Sequence, residues 1–288
     1  MDVAVIIPVW NRASILGDTL DAIAAQTTAP RTVVVVDDGS TDDSAGVAES
    51  HARVDRVVRT EHKGLGHARN RGFEAVEPHA FLHFLDSDDL LPPDFYTRMQ
   101  AVFDGEPAVQ AASTDQRYRE RDGTERSFRS LAGIERDPLA WFSRRDGGMF
   151  STTCLRGELF ETFGPFVESF DSGVDFKFLV DAADRAVWRH VPGEPVRYRR
   201  EGDNVSRSHA KKAIHWASQA ERLFADTRLP WWRRRFDLAR RWRSAGNLAL
   251  HQGDRALARR CYARAVRICP YFLTGYRKLI KTLVAPSP

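Results

Sequence analysis

Two acidic segments that follow predicted strands could bind a divalent cation. Asp37 and Asp38 come directly after the apolar run Thr32–Val36, and Asp86–Asp89 follows the run Ala80–Leu85. Carboxylates gathered at one edge of a sheet repel each other unless a cation lies between them, and such oxygen ligands suit Mg²⁺ or Mn²⁺. These ions keep positions open for phosphate oxygens. The residue types therefore predict a metal-assisted site for a phosphorylated ligand.

The glycine motifs that usually bind phosphate are missing from the sequence. No Gly-x-Gly-x-x-Gly follows the first predicted strand, and no Gly-x-x-x-x-Gly-Lys-Ser/Thr occurs anywhere. The segment Lys63–His67 is basic and glycine-containing but lacks that framework. A metal ion would therefore have to neutralise the phosphate charge.

Strands and helices alternate along the first hundred residues. Val3–Pro8 is a continuous apolar run, which is typical of a strand buried on both faces, and Leu16, Leu20 and Ile23 then recur at helical spacing. Repetition of this order predicts an α/β fold with a mostly parallel central sheet flanked by helices. In such sheets ligands bind at the carboxyl ends of the strands, where both acidic segments lie.

The middle of the chain has a less regular pattern. We expect further strands at Val109–Ser113, Ser151–Leu155 and Val187–Val191, a polar hairpin over Tyr118–Phe128, and a helix through Phe176.

The charge distribution divides the chain into two parts. Residues 209–288 carry 18 Lys and Arg against 4 Asp and Glu, a net charge of +14, whereas residues 1–208 have a net charge of −10. We therefore expect an α/β domain over 1–208 and a basic α-helical extension over 209–288. Small residues, a turn at Gly253 and a stop at Pro270 make this extension resemble a tetratricopeptide-type helix pair, although a plain helical hairpin fits equally well.

Composition indicates an ordinary globular protein. Hydrophobic residues make up 42% of the 288 residues and charged residues 28%, which excludes collagen-like and disordered classes. No apolar run reaches the roughly 18 residues of a membrane-spanning helix, and the acidic start of the chain is unlike a signal peptide. The three cysteines favour a reducing, cytoplasmic location.

Four motifs in order resemble those of the family 2 inverting glycosyltransferases of GT-A fold. The match is strong across residues 3–103 and continues more weakly to about residue 206. The motifs are Ile7-Pro8-Val9-Trp10-Asn11-Arg12, Val36-Asp37-Asp38-Gly39-Ser40, Gly66-His67-Ala68-Arg69-Asn70 and Phe84-Leu85-Asp86-Ser87-Asp88-Asp89.

The resemblance implies a nucleotide pocket at the end of the first strand. Pro8 and Val9 would line it, with Asn11 and Arg12 at its rim. Asp37 would accept hydrogen bonds from the base, which is usually uracil in this family.

The resemblance also implies a site for the sugar, the diphosphate and a metal ion. Asp86 would contact the ribose, Ser87 would lie in the same nucleotide-sugar site, and Asp88 would ligate Mn²⁺ or Mg²⁺. Arg69 would lie near the donor, where a guanidinium can clamp a phosphate; a surface charge on an amphipathic helix is the alternative.

An inverting transfer needs a general base that takes the proton of the acceptor hydroxyl. The resemblance places this role on Asp175, at the start of a predicted helix whose N-terminus favours the carboxylate form. Val174 replaces the Glu that usually precedes it, and Asp171 and Glu168 are the fallback bases.

Aromatic and arginine side chains alternate in Trp231–Phe236 of the basic extension. This pattern fits a helix lying on anionic lipid at the inner face of the membrane, or an aromatic face packed on the rest of the protein. The expected partners are a nucleotide-sugar donor and a glycan or lipid-linked acceptor, and nucleic acid is not expected because no reader motif is present.

Two other functions remain open from the sequence. A sugar-phosphate nucleotidyltransferase would share the sheet and the acidic metal site, but it normally has a basic, glycine-rich loop where Val9–Arg12 stands. A catalytically inactive scaffold of the same fold would explain Val174.

Overall fold

A computed structural model describes residues 1–120, 124–144, 150–168, 174–183, 185–200, 210–224 and 229–284. The chain forms two compact units, Met1–Gly202 and Asp203–Pro288. The domain boundary predicted between residues 208 and 209 falls outside the described residues.

Among the described residues, the first unit contains one nine-stranded sheet with the order β3-β2-β1-β4-β8-β6-β9-β5, in which β7 pairs with β6. The strands are β1 (Val3–Val9), β2 (Thr32–Asp38), β3 (Arg56–Thr60), β4 (Phe81–Phe84), β5 (Asp89–Leu90), β6 (Ala111–Glu120), β7 (Glu125–Arg129), β8 (Thr153–Arg156) and β9 (Trp188–Arg200). The helices are α1 (Ala13–Ala24), α2 (Ser44–Ser50), α3 (Leu65–Glu74), α4 (Phe95–Gly105), α5 (Pro138–Arg144), α6 (Gly157–Phe163) and α7 (Val174–Ala183).

Strands β3, β2, β1 and β4 form the parallel half of the sheet. Every residue of β1 is buried, as the continuous apolar run predicts. Leu16, Leu20 and Ile23 of α1 pack into the same core. Helix α3 approaches the sheet closely at Gly72, because a Cβ there would overlap the side chain of Ile6.

The other half of the sheet is mixed. Strand β8 lies antiparallel between β4 and β6, and β6 then pairs in parallel with β9. The α/β class with flanking helices is confirmed, and the sheet contains antiparallel pairs as well as the expected parallel ones. Strands β6 and β7 form the expected hairpin.

The second unit is helical. Its described helices are α8 (Ala210–Leu223), α9 (Trp231–His251), α10 (Arg255–Ile268) and α11 (Leu273–Val284). Helices α9 and α10 form a hairpin whose turn uses Gly253 at a φ of 80°. They touch where Gly246 meets Tyr262, since a Cβ at 246 would lie 2.6 Å from Cε1 of that ring. In the described part of the chain, no helix has the length and apolar character needed to cross a membrane.

Candidate active site

The two acidic segments lie at the same edge of the parallel half-sheet. Strand β1 ends at Val9, which pairs with Asp37 near the end of β2, and β4 on the other side of β1 ends at Phe84, just before Asp86. Because these strands are parallel, their carboxyl ends meet at one edge. The edge therefore brings together residues far apart in sequence.

Asn11 orders the loop that follows β2. Its backbone has a φ of 52°, a conformation that Asn tolerates better than most residues. Its Oδ1 accepts hydrogen bonds from the backbone N–H of Thr41 at 2.7 Å and from its hydroxyl at 3.2 Å. Its own N–H donates to the Ser40 hydroxyl at 3.0 Å, and the Ser40 N–H donates to Oδ1 of Asp37 at 3.1 Å. Asn11 thereby fixes the position of Asp37.

Arg12 connects the end of β1 with the second acidic segment. Its backbone N–H donates to the hydroxyl of Ser44 at 2.8 Å. Its Nε lies 4.0 Å from Oδ2 of Asp88. The rim residue predicted for the nucleotide pocket is therefore the ion-pair partner of the predicted metal ligand.

Other predicted pocket residues are buried. Pro8 and Val9 lie inside β1, and Val9 belongs to the apolar core. Ser87 is 7% exposed, and its carbonyl accepts a hydrogen bond from the hydroxyl of Thr19 at 3.0 Å. These side chains anchor the strand ends, and Trp10, directly after β1, is the first exposed residue at this edge.

Trp10 presents an exposed aromatic ring at this edge, a feature that the four motifs do not assign to any ligand. Its ring is 43% exposed and stacks on His62, with ring centroids 4.4 Å apart and planes 16° from parallel. His62 is held by Asp38, whose Oδ2 lies 2.9 Å from its Nδ1. Asp38 also accepts the backbone N–H of Lys63 at 3.0 Å and of Gly64 at 2.9 Å. The signal available in the sequence was an aromatic residue directly after a buried strand.

Arg69 joins the second acidic segment to the predicted base. It lies on α3 with a fully buried side chain, and its Nη2 donates to Oδ1 of Asp86 at 2.8 Å while its Nη1 donates to Oδ1 of Asp175. The guanidinium carbon lies 5.2 Å from the ring centroid of Phe150 and 5.5 Å from that of Phe166. Both arms of the guanidinium are thus engaged by carboxylates rather than being directed to solvent.

Helix α3 also holds the segment that precedes α7. The side-chain amide of Asn70 donates to the carbonyl of Phe166 at 3.0 Å and to Oε1 of Glu168 at 2.8 Å. His67 Nδ1 lies 3.0 Å from Oε2 of the same Glu168. These hydrogen bonds lower the pKa of Glu168. The other fallback base, Asp171, lies outside the described residues.

Burial and mutual repulsion dominate the electrostatics of the acids. Burial, and then the charge of Asp86, raises the pKa of Asp88 to about 6, although Arg12 opposes the shift. Burial followed by the charges of Asp88 and Asp86 raises the pKa of Asp89 well above its ordinary value. Burial also raises the pKa of Asp175, and Arg69 opposes this. The pKa of Asp175 is therefore raised, the opposite of the direction expected from the helix N-terminus alone.

The donor set at this edge fits a metal ion that is shared with a phosphate ligand. Within the described ranges, no three His, Cys, Asp or Glu side chains converge well enough to hold a metal ion by themselves. Asp88 and its neighbour Asp86 offer one or two carboxylates. That is the protein contribution Mg²⁺ and similar ions take when substrate phosphates and water supply the remaining ligands.

Comparison with known proteins assigns the family. The model of "Glycosyl transferase family 2" matches residues 4–163, which is more than half of the chain. The chain belongs to glycosyltransferase family 2. The match begins in β1 and ends with α6, so it includes the acidic edge, Arg12 and Arg69, whereas α7 with Asp175 follows it.

Individual relatives are also glycosyltransferases by name. The glycosyltransferase GlyA of Streptococcus pneumoniae serotype 4 is 35% identical over 96 residues, which cover 32% of this chain and 14% of GlyA. The chain spans less than a third of the length of the first curated relatives it matches, with 29%, 29% and 14% covered.

Solved structures agree on the fold. TarS 1–349 of S. aureus, solved in complex with UDP-GlcNAc, superposes with a TM-score of 0.69 at 19% identity, covering 98% of this chain and 89% of that chain. The mannosyltransferase PcManGT of Pyrobaculum calidifontis, solved with GDP-Man and Mn²⁺, superposes with a TM-score of 0.57 at 20% identity, covering 98% and 86%. The fold is therefore of the GT-A type.

Proposed function

We propose that this protein transfers a sugar from a nucleoside diphosphate donor to a hydroxyl group of a glycan or lipid-linked acceptor, with inversion at the anomeric carbon. One observation carries the proposal: Arg69 binds Asp86 on one side and Asp175 on the other. An acid of the predicted donor site and the predicted base are therefore held by a single buried cation. A direct displacement requires the base to lie close to the donor sugar, so that it can deprotonate the acceptor hydroxyl as this attacks.

A UDP-sugar is the donor that the site suits best. The half-exposed ring of Trp10 offers a face on which a nucleobase can stack, and stacking on an aromatic side chain contributes about 1–3 kcal/mol per base. Asp37 pairs with Val9, the residue before Trp10, and its carboxylate could accept a hydrogen bond from an N–H of the base. The complex of TarS with UDP-GlcNAc supports this choice.

Asp88, with Asp86 beside it, would hold Mn²⁺ or Mg²⁺. When bound, the ion acts as a Lewis acid that stabilises the charge developing on the leaving diphosphate. The carboxylates supply the negative charge that attracts the ion, and Arg12 limits their mutual repulsion while the site is unliganded. The presence of Mn²⁺ in the PcManGT complex supports this assignment.

Asp175 is the proposed general base. A carboxylate with a raised pKa is a stronger base than an ordinary aspartate, and burial supplies that increase here. Arg69 keeps the carboxylate oriented by binding Oδ1, which leaves Oδ2 to accept the proton of the acceptor hydroxyl. Deprotonation of the hydroxyl as it attacks the anomeric carbon, with departure of the nucleoside diphosphate, completes a single inverting displacement.

A ligand-binding screen tests the proposal. The thermal stability of the full chain is measured with UDP-, GDP- and dTDP-sugars, each with and without Mn²⁺. A ligand at 100 times its Kd stabilises the native state by about 2.7 kcal/mol, a shift of several degrees. We expect one UDP-sugar to give that shift only with metal, and Asp88→Asn to abolish it. The exposed Asp104→Asn is the matched control and should keep the shift.

Product analysis then separates transfer from mere binding. Release of UDP from the stabilising donor, and the anomeric configuration of the product, report on the reaction and its stereochemistry. Binding without any UDP release in the presence of metal would favour an inactive scaffold. A metal-independent shift that Asp88→Asn leaves intact would contradict the proposed metal site.

A further inference from the structure

The helical unit exposes a cluster of large apolar side chains. Exposed fractions are 61% for Trp231, 58% for Trp232, 45% for Phe236, 85% for Tyr271 and 77% for Leu273. These five residues form the aromatic surface of the helical unit. Side chains of this size are normally buried or half-buried in globular proteins, so a cluster of them marks an interaction site.

The members of the aromatic surface lie at one end of the helical unit. The rings of Phe236 and Phe272 meet edge to face with centroids 5.4 Å apart. Nε of Arg235 donates to the carbonyl of Ile268 at 2.7 Å. The first turns of α9 therefore pack beside the segment that connects α10 with α11. Tyr271 precedes Phe272 in that segment and Leu273 follows it as the first residue of α11, so both adjoin the residue that contacts Phe236.

Basic side chains accompany this surface. The run Arg233–Arg235 interleaves with its members on α9, and residues 209–288 have a net charge of +14. Exposed basic residues of α10 and α11 include Arg267, Arg277, Lys278 and Lys281. A groove of about 460 Å³ adjoins Trp231 and is lined in addition by Glu221, Phe224, Arg234, Arg235 and Leu238. Positive charge and aromatic rings are therefore presented together.

We infer that the aromatic surface binds the interface of a membrane that contains anionic phospholipid. Trp and Tyr prefer the headgroup level of a bilayer because their rings are apolar at one end and polar at the other. Apolar burial and electrostatic attraction add in such binding, and each basic residue near an anionic surface strengthens it about fivefold. The net charge of +14 on residues 209–288 favours an anionic lipid surface over the helical unit of a second copy of this chain, which would carry the same positive charge.

Vesicle binding by the full chain tests the inference without any donor or acceptor. We expect sedimentation with vesicles of phosphatidylglycerol and phosphatidylcholine in equal parts, and at least tenfold weaker partitioning into pure phosphatidylcholine. Raising NaCl from 50 to 500 mM should weaken partitioning into the anionic vesicles at least tenfold, because salt screens surface charges. Trp fluorescence should shift to the blue as the rings leave water.

Two variants distinguish specific binding through the aromatic surface from non-specific adsorption of exposed apolar residues to vesicles. Trp232→Ser/Tyr271→Ser/Leu273→Ser removes exposed side chains that are not part of a core, and it should lower partitioning at least tenfold with an unchanged Tm. Val187→Ser/Leu250→Ser removes exposed apolar residues elsewhere, 42% and 37% exposed, and should stay within twofold of the parent protein.

Two results would overturn the inference. One is partitioning that the triple variant leaves unchanged. The other is a protein that does not sediment with anionic vesicles; a dimer that the triple variant dissociates, measured by light scattering, would then assign the surface to a second copy of this chain. Either result leaves the ligand screen of the proposed function unaffected, because that screen reports on the α/β unit.

Discussion

Replacing Asp175 by Asn removes the proposed base while nearly preserving its shape. The amide oxygen can still accept the hydrogen bond from Nη1 of Arg69, and Arg69 keeps its 2.8 Å bond to Asp86. The substitution therefore changes the capacity to take a proton more than it changes the geometry of the site. This makes the variant a test of chemistry rather than of folding.

The expected loss is large in rate and modest in stability. Proton transfer to a positioned base contributes about 10²–10⁴-fold to a rate, so kcat should fall by that factor, or about 3–5 kcal/mol in the barrier. The lost charge-assisted hydrogen bond costs about 1–3 kcal/mol of folding stability, partly offset because an amide is cheaper to bury than a carboxylate. KM for the donor should change less than threefold, since Asp175 acts on the acceptor.

The assay is release of nucleoside diphosphate from the donor found in the screen, followed across pH. In the parent enzyme kcat should fall as the pH drops through the raised pKa of Asp175, because the protonated acid cannot act as a base. In Asp175→Asn this acid limb should disappear. Glu168→Gln is the matched control, since Glu168 is already engaged by Asn70 and His67, and it should retain kcat within a few-fold.

Two outcomes would refute the assignment of the base. The first is an Asp175→Asn enzyme with more than a tenth of the parent kcat and an unchanged acid limb. The second is a Glu168→Gln enzyme that loses as much activity as Asp175→Asn, which would move the role to Glu168.

Three further changes probe the fold and the pocket. Trp10→Ala should weaken UDP binding in calorimetry about 5- to 100-fold through lost stacking, and unchanged affinity would contradict the base site. Gly72→Ala should cost about 1–3 kcal/mol in denaturant unfolding because its Cβ would overlap Ile6, whereas Gly105→Ala meets nothing within 4 Å and should stay within about 0.5 kcal/mol. If both substitutions changed the free energy of unfolding equally, α3 would be able to shift away from Ile6 to accommodate the added methyl group. Burial lowers the pKa of His83 from 6.5 to about 4, so the unfolded chain takes up that proton first. Stability should therefore fall by about 3 kcal/mol between pH 6.5 and 4, and a His83→Gln variant with the same pH dependence would exclude this cause.

The sequence predicts the parallel half of the sheet well because its signals are local. A buried parallel strand requires a continuous apolar run, and Val3–Pro8 falls within β1. The helical spacing of Leu16, Leu20 and Ile23 likewise reflects one face of α1 against the core. The mixed half follows from pairings between distant segments, such as β8 between β4 and β6, and no local spacing encodes them.

The candidate site likewise contains residues that local sequence patterns predict and residues that only long-range packing reveals. Asp37 and Asp86 can be placed from sequence because each lies at or just after the carboxyl end of an apolar strand. The hydrogen bond between Arg69 and Asp175 joins residues 106 positions apart. From the sequence alone, an arginine on a predicted helix is equally consistent with a donor-site residue and with a solvent-exposed surface charge. Only the packing of α3 against Phe150 and Phe166 shows that its guanidinium is buried and shared between two acids.

Val174 explains why the proposed chemistry rests on one acid at the start of α7. Its side chain is 2% exposed and lies against α3, where a Cβ on Gly66 would be 3.2 Å from its Cγ1. A carboxylate at position 174 would be desolvated without an opposite charge to compensate, because Arg69 already binds Asp86 and Asp175. An apolar residue is therefore what this packing favours. On the proposed mechanism the buried arginine, rather than a second acid, keeps the lone carboxylate oriented for the acceptor.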